Sequence, residues 1–159
     1  MIVENSVKGI VISVNTSLFK GEKKSPVEKA EIVNCHGIKG DAHADPGERQ
    51  ISLLAWESIE KMREKGYDAR NGDFAENLTI KGIILWELKP GDVLEVGGGV
   101  ILRITRIGKI CHDRCKIYYQ VGDCVMPREG VFAEVVCGGI IRPGDTVVLA
   151  DSMTGSVSA

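Results

Sequence analysis

No run of apolar residues in this chain approaches the roughly eighteen that a membrane-crossing helix requires, so a helical span is excluded. The stretch Met1-Ile2-Val3-Glu4-Asn5 lacks a basic region followed by an apolar run, and no signal peptide is expected. A basic excess is also missing. The formal net charge is -2, which argues against a dedicated nucleic-acid binder but leaves room for a local basic pocket that takes a small anion. There is no internal repeat, no low-complexity linker and no dinucleotide fingerprint, since Gly138-Gly139 is far too short for one. The cysteines number five, so they cannot all pair within the chain. An odd set fits a reducing, cytoplasmic setting better than a secreted disulfide framework.

What is present is an ordinary globular composition. Hydrophobic residues make up 43% and charged residues 26%, which excludes general disorder. A chain of 159 residues suits one domain and buries a core without staples. Residues 1–150 are read as that domain, with 151–159, rich in Ser, Gly and Ala, as a frayed tail.

Strand signals dominate. Lys8–Val14, Lys29–Asn34 and Arg49–Leu54 alternate and are rich in β-branched or aliphatic residues. Between the first two, Thr16–Val27 carries several lysines and a proline and reads as an exposed loop. The strongest hairpin is Asp92–Val96, then Gly97-Gly98-Gly99, then Val100–Thr105, because glycines adopt the positive φ of a tight reversal. Val131–Val136 and Thr146–Leu149 complete the set, beside turns at Pro90-Gly91-Asp92, Gly138-Gly139 and Pro143-Gly144-Asp145. Helix signals are fewer. Ala55–Lys65 places Ala55, Ile59 and Met62 on one face and is stopped by Gly66, and a second short helix is read over Cys111–Gln120. Many short strands, Pro-Gly-Asp turns and two short helices predict a predominantly β, barrel-like α+β domain.

Four segments carry polar chemistry. In Thr105–Ile117, a strand gives way to the second helix at Cys111, where the helix dipole, Lys109 and Arg114 all favour a thiolate. A thiolate serves as a soft metal ligand or a sulfur-transfer nucleophile. Cys115 shares the face of Cys111, four residues on, so either thiol can work while the other resolves it; two buried small residues are the competing reading. Zinc is a further alternative, with Cys111, His112 and Cys115 as ligand types and Cys124 as a fourth that nothing in the spacing requires. In the loop Gly37–Gln50, Lys39 and Arg49 are candidates for an anion, and Asp41 and His43 for acid–base work or ligand orientation, unless Asp41 merely caps a turn. In Gly72–Ile80, Glu76 and Asn77 either meet a ligand or satisfy backbone groups at a tight loop. In Val125–Phe132, Arg128 either makes a forked phosphate contact or is an exposed turn arginine. Cys35 and Cys137 sit beside apolar strands and are read as core; Cys124 stays ambiguous.

In order, these pieces resemble the MOSC family, named for the C-terminal domain of molybdenum cofactor sulfurases. The match runs from Gly37 to Leu149: Gly40-Asp41-Ala42-His43, Arg49–Leu54, Gly72–Thr79, the Pro90-Gly91-Asp92 turn, the cysteine segment, Arg128–Ala133, and Gly138-Gly139 through Pro143-Gly144-Asp145. No single piece is specific, whereas seven in one order are. The family hallmark is a cysteine a few residues beyond a strand ending in Thr, which places it on Cys111. Many members have a proline just before it, where this chain has Ile110, and Cys115 adds a second thiol.

The resemblance implies a barrel with a cleft that binds molybdopterin, the molybdenum cofactor. There Cys111 ligates molybdenum or carries sulfur, and Lys39, Arg49, Arg106 and Arg128 meet the phosphate and pterin edges. It further implies a partner among molybdopterin biosynthesis proteins, or a cysteine desulfurase in trans, since this chain has no module for pyridoxal phosphate. A second implied reading is reduction of N-hydroxylated compounds at molybdenum. That reaction needs an electron donor in trans, because no iron–sulfur ligand pattern occurs here. A non-catalytic scaffold whose cysteines are structural or bind zinc is the reading from a different class.

Overall fold

Strands that bury one face each need a partner for that face, and these strands find it by closing on one another. The computed structural model describes residues 7–20, 22–108 and 125–150. In chain order the elements are β1 (Lys8–Thr16), β2 (Ser25–Val27), β3 (Ala30–Val33), β4 (Gly37–Ile38), β5 (Ile51–Ala55), α1 (Trp56–Glu64), β6 (Leu78–Lys81), a 3-10 turn (Leu85–Glu87), β7 (Val93–Val96), β8 (Val100–Ile107), α2 (Met126–Glu129), β9 (Val131–Cys137), β10 (Gly139–Ile141) and β11 (Thr146–Leu149). The barrel runs β11-β7-β8-β9-β5-β6-β1, and β1 pairs with β11 to complete the ring. Closure removes the open edges that a sheet of this size otherwise presents. β2 extends the sheet from the far end of β1, while β3, β4 and β10 form a separate small sheet. Among the described residues only β5 and β6 pair in parallel, as their connection through α1 requires.

β5 shows how the sequence positions the site. Side chains alternate between faces along a strand. Ile51, Leu53 and Ala55 point into the barrel, where they pack with Leu78, Ile80, Leu102 and Ala133. Leu54 points outward into a second cluster with Ile59 and Met62 of α1, Tyr67, Phe74, Val125 and Phe132. All five β5 residues are therefore buried, although only alternate ones face the barrel. Each large side chain so buried contributes roughly 1.5–3 kcal/mol. The face of α1 expected from Ala55, Ile59 and Met62 is the buried one, and the chain turns at Gly66 with φ 96°.

Two expectations are corrected. Thr16–Val27 is not simply an exposed loop: Ser25–Val27 pairs with the end of β1, and Ser17 and Lys24 are buried. Pro26 is tolerated because β2 is an edge strand. Cys35 and Cys137 are exposed rather than core. Cys35 follows β3 with φ 54°, which takes it out of the strand alternation. Cys137 ends β9 beyond a register shift against Ile101 and Leu102, which breaks the alternation that would have turned it inward. The helix read over Cys111–Gln120, with Cys111, Cys115 and Cys124, lies outside the described residues, as does the tail at 151–159.

Candidate functional site

Cross-strand partners project from the same face of a sheet. Ser52 of β5 is paired with Phe132 of β9, and Phe132 with Arg106 of β8, so these three form one row across the outside of the barrel. Two loops close over this row, the segment before β5 and the segment before β6. Between them lies a cavity of about 90 Å³ lined by His43 and Arg49 from the first loop, Phe74, Ala75 and Asn77 from the second, and Ser52 and Phe132 from the barrel. Three of the residues singled out in the sequence, His43, Arg49 and Asn77, thus come from two separate segments to one hollow.

The loops are fastened by groups that do not themselves line it. Lys24, 3% exposed, reaches Asp41 Oδ1 at 2.8 Å, Ser17 Oγ at 3.0 Å and His43 Nδ1 at 2.9 Å. Asp41 in turn accepts from the Ser17 amide at 3.0 Å and the His43 amide at 3.1 Å. Burial pushes the Asp41 carboxyl up, but Lys24, the Ser17 amide and the Asn77 side chain outweigh it and hold the group below its ordinary value. Gly72 makes the second loop's approach possible. It has φ 93°, its carbonyl accepts from the Lys24 amide at 2.9 Å, and a Cβ there would stand 2.2 Å from the Lys24 carbonyl oxygen.

Glu76 and Asn77 are buried, at 0% and 1% exposure, and both are engaged by the protein itself. Asn77 Oδ1 accepts from the Ser52 amide at 2.9 Å and Ser52 Oγ at 3.2 Å, and its Nδ2 donates to the Asn15 carbonyl at 3.2 Å. Leu53 with Leu78 is the terminal residue pair of β5 and β6, and beyond it the Asn77 amide donates to the Ser52 carbonyl at 3.0 Å while the Asn77 side chain accepts from the Ser52 amide. Glu76 accepts from the Gly72 amide at 2.8 Å, Thr79 Oγ1 at 2.8 Å and the Phe74 amide at 3.2 Å. These bonds hold the turn in which Ala75, a cavity residue, takes φ 64°. A non-glycine residue held there stores strain, a recurrent property of ligand-contacting loops.

Burial raises Glu76 from 4.5 to about 7, against the backbone amides and the Thr79 hydroxyl that favour the carboxylate. Between these two values the folded chain retains a proton that the unfolded chain has released, so the contribution is complete below 4.5 and is lost as pH rises through about 7. The loss amounts to about 3 kcal/mol. Urea unfolding of wild type and Glu76→Gln from pH 4.5 to 8 reads this directly: the difference between them should change by that amount, and a constant difference would refute it.

The cations are unevenly placed. The Arg49 guanidinium lies 5.2 Å from the Phe132 ring centre, stacked over the cavity wall. Arg106, in the same row, bonds Glu48 at 3.3 Å and the Gly108 carbonyl at 3.2 Å. Lys39 is 72% exposed, pairs with Glu31 at 3.8 Å, and is not among the residues lining the cavity. Arg128 is exposed on α2. Lys24 escaped the sequence reading, because a lysine in a lysine-rich stretch carries no signal that it alone turns inward. Ser52 and the two phenylalanines were legible only as strand and loop residues. Hydrogen-bond donors, a stacked guanidinium and two aromatic rings suit an anionic ligand with a flat ring.

The segment that carries Cys111 begins at this row. β8 runs to Ile107, paired with Val131, and the Gly108 amide bonds the Gly130 carbonyl at 2.6 Å. The chain is described again at Val125, which is packed in the outer cluster with Phe132 and Leu54. Gly108 and Val125, the described residues on either side of 109–124, therefore both lie on the cavity side of the barrel.

A search of curated protein sequences finds no match. Among solved structures, YuaD of Bacillus subtilis superposes with a TM-score of 0.77 at 16% identity, covering 91% of this chain and 97% of that one. YiiM of Geobacillus stearothermophilus gives 0.69 at 21% identity, over 90% of this chain and 75% of its own. YiiM of Escherichia coli gives 0.60 at 16%, over 92% and 69%. At these identities the likeness is one of fold. The sequence model of the MOSC domain matches residues 35–148, a span that takes in both cavity loops, the β5–β9–β8 row and the cysteine segment. By that match, on a closed barrel with these loops, the chain belongs to the MOSC domain family.

Proposed function

We propose that this protein holds a molybdenum cofactor in the cleft outside β5, β9 and β8 and acts on it, or on its sulfur, through Cys111. The observation that carries the reading is the convergence of His43, Arg49 and Asn77 on one cavity whose row continues to Arg106 and to the start of the Cys111 segment. By residue type the described side chains suit the organic part of such a cofactor: Arg49 of the cavity, with Arg106 in the adjoining row, its phosphate, and Phe74 and Phe132 its flat pterin. They do not supply a metal site, since no three His, Cys, Asp or Glu side chains cluster among the described residues. The resemblance to the MOSC family gives that role to the thiolate of Cys111, a soft donor of the kind that suits such a metal. The bound cofactor would contribute redox and sulfur-transfer chemistry at molybdenum. The chain's own residues bind, orient and shield it. Sulfur destined for it would come from a cysteine desulfurase acting in trans.

Purification from a molybdopterin-producing host tests this. Wild type should carry molybdenum and pterin close to one per chain, and Cys111→Ala at least about tenfold less molybdenum, as loss of a metal-binding group implies. Cys115→Ala, run beside it, shows which thiol works. Equal metal in wild type and Cys111→Ala would remove Cys111 as the ligand.

A further inference from the structure

The contacts of Lys24 decide something about His43. An ammonium has three protons and no lone pair, so each of its partners must accept. Ser17 Oγ at 3.0 Å, Asp41 Oδ1 at 2.8 Å and His43 Nδ1 at 2.9 Å account for all three. A neutral amine would instead leave the buried Asp41 carboxylate without its counter-charge, in a place where the Lys24 and Asp41 side chains are 0% and 1% exposed. His43 Nδ1 therefore keeps its lone pair, and the ring proton is on Nε2. The Asp41 carboxylate also takes the His43 amide at 3.1 Å, so backbone and ring are held by the same pair.

We propose that Lys24 is a positioning residue: with Asp41 it locks His43 as the Nε2–H tautomer, so that this cavity-lining ring acts as a hydrogen-bond donor and not as a base. A general base needs an open lone pair at the reacting atom, and this arrangement turns the only one toward Lys24. With its Nδ1 lone pair spent on Lys24, this ring is unsuited to abstracting protons from a ligand in the cavity. The inference concerns the protein without ligand, so it stands or fails apart from the cofactor assignment.

Nuclear magnetic resonance of histidine labelled with nitrogen-15 reads the tautomer. The chain has three histidines, and the His43 signals are those lost in His43→Gln. In wild type at neutral pH the two ring nitrogens should be widely split, Nδ1 as the lone-pair type and Nε2 as the protonated type. A proton on Nδ1, alone or with Nε2, overturns the proposal. In Lys24→Met the splitting should narrow as the lock is released. Should that variant not fold, Lys24→Met/Asp41→Asn removes the buried charge with its partner and serves the same purpose. An unchanged splitting in either folded variant overturns the role of Lys24. A merely structural lysine would alter stability and leave the ring nitrogens where they were.

Discussion

Lys24→Met is expected to destabilise the fold by about 3–5 kcal/mol, although the residue lies in a lysine-rich stretch outside the barrel strands. Its Nζ is 2.8 Å from Asp41 Oδ1, with neither side chain more than 1% exposed. Removing one partner leaves a carboxylate buried without its counter-charge, and Ser17 Oγ and His43 Nδ1 lose a donor in the same step. Adding Asp41→Asn should restore part of the loss, because the unpaired charge goes. It cannot restore all of it, since Asn has one acceptor where Asp41 serves the amides of both Ser17 and His43. Lys39→Met is the contrast. Its ion pair with Glu31 is 3.8 Å long and both side chains are more than half exposed, so the change should be within about 0.5 kcal/mol. Urea midpoints of the three variants provide the measurement. A Lys24→Met cost as small as that of Lys39→Met would mean that the pair is not buried as described.

Asn77→Ala is expected to cost about 2–5 kcal/mol, the sum of leaving the buried Ser52 amide and Asn15 carbonyl without this partner. Ser52 Oγ has an alternative acceptor in the Ala75 carbonyl at 3.3 Å and adds less. Asn77→Asp separates geometry from charge. It keeps the two acceptor contacts to Ser52, loses the donor to Asn15, and places a second carboxylate near Asp41. It should therefore be worse at pH 7 than at pH 4, whereas the loss in Asn77→Ala, which removes a donor to Asp41 but adds no charge, should show a smaller trend in the same direction. Thermal unfolding at the two pH values distinguishes them, and a neutral Asn77→Ala would remove the side chain from its place in the β5–β6 ladder.

These two predictions bear on function because the same side chains that hold the barrel together line or support the cavity. Asn77 illustrates the overlap. Its residue type in Gly72–Thr79 fits both a ligand contact and a loop fastener, and its oxygen and one of its donors are committed within the protein. Glu76 is likewise spent on Gly72, Phe74 and Thr79. Arg49 and His43 are the polar side chains of the first loop that meet the hollow, His43 with its Nδ1 on Lys24.

Local sequence determined a good deal by itself. Alternation and β-branching marked β1, β3, β5, β7, β8, β9 and β11, because one-sided burial leaves a period of two in the residues themselves. The glycine run at 97–99 marked the β7–β8 hairpin, and the Ala55, Ile59 and Met62 spacing marked α1. Besides β6, what it left open were β2, β4 and β10, each three residues or fewer, which are strands only because a distant partner supplies the hydrogen bonds. Tertiary structure alone decided the closure of β1 on β11, the exposure of Cys35 and Cys137, and which lysine of the Thr16–Val27 stretch turns inward. Each depends on groups far apart in the chain meeting at hydrogen-bonding distance, and a composition or a local period records which residues are able to meet but not which of them do.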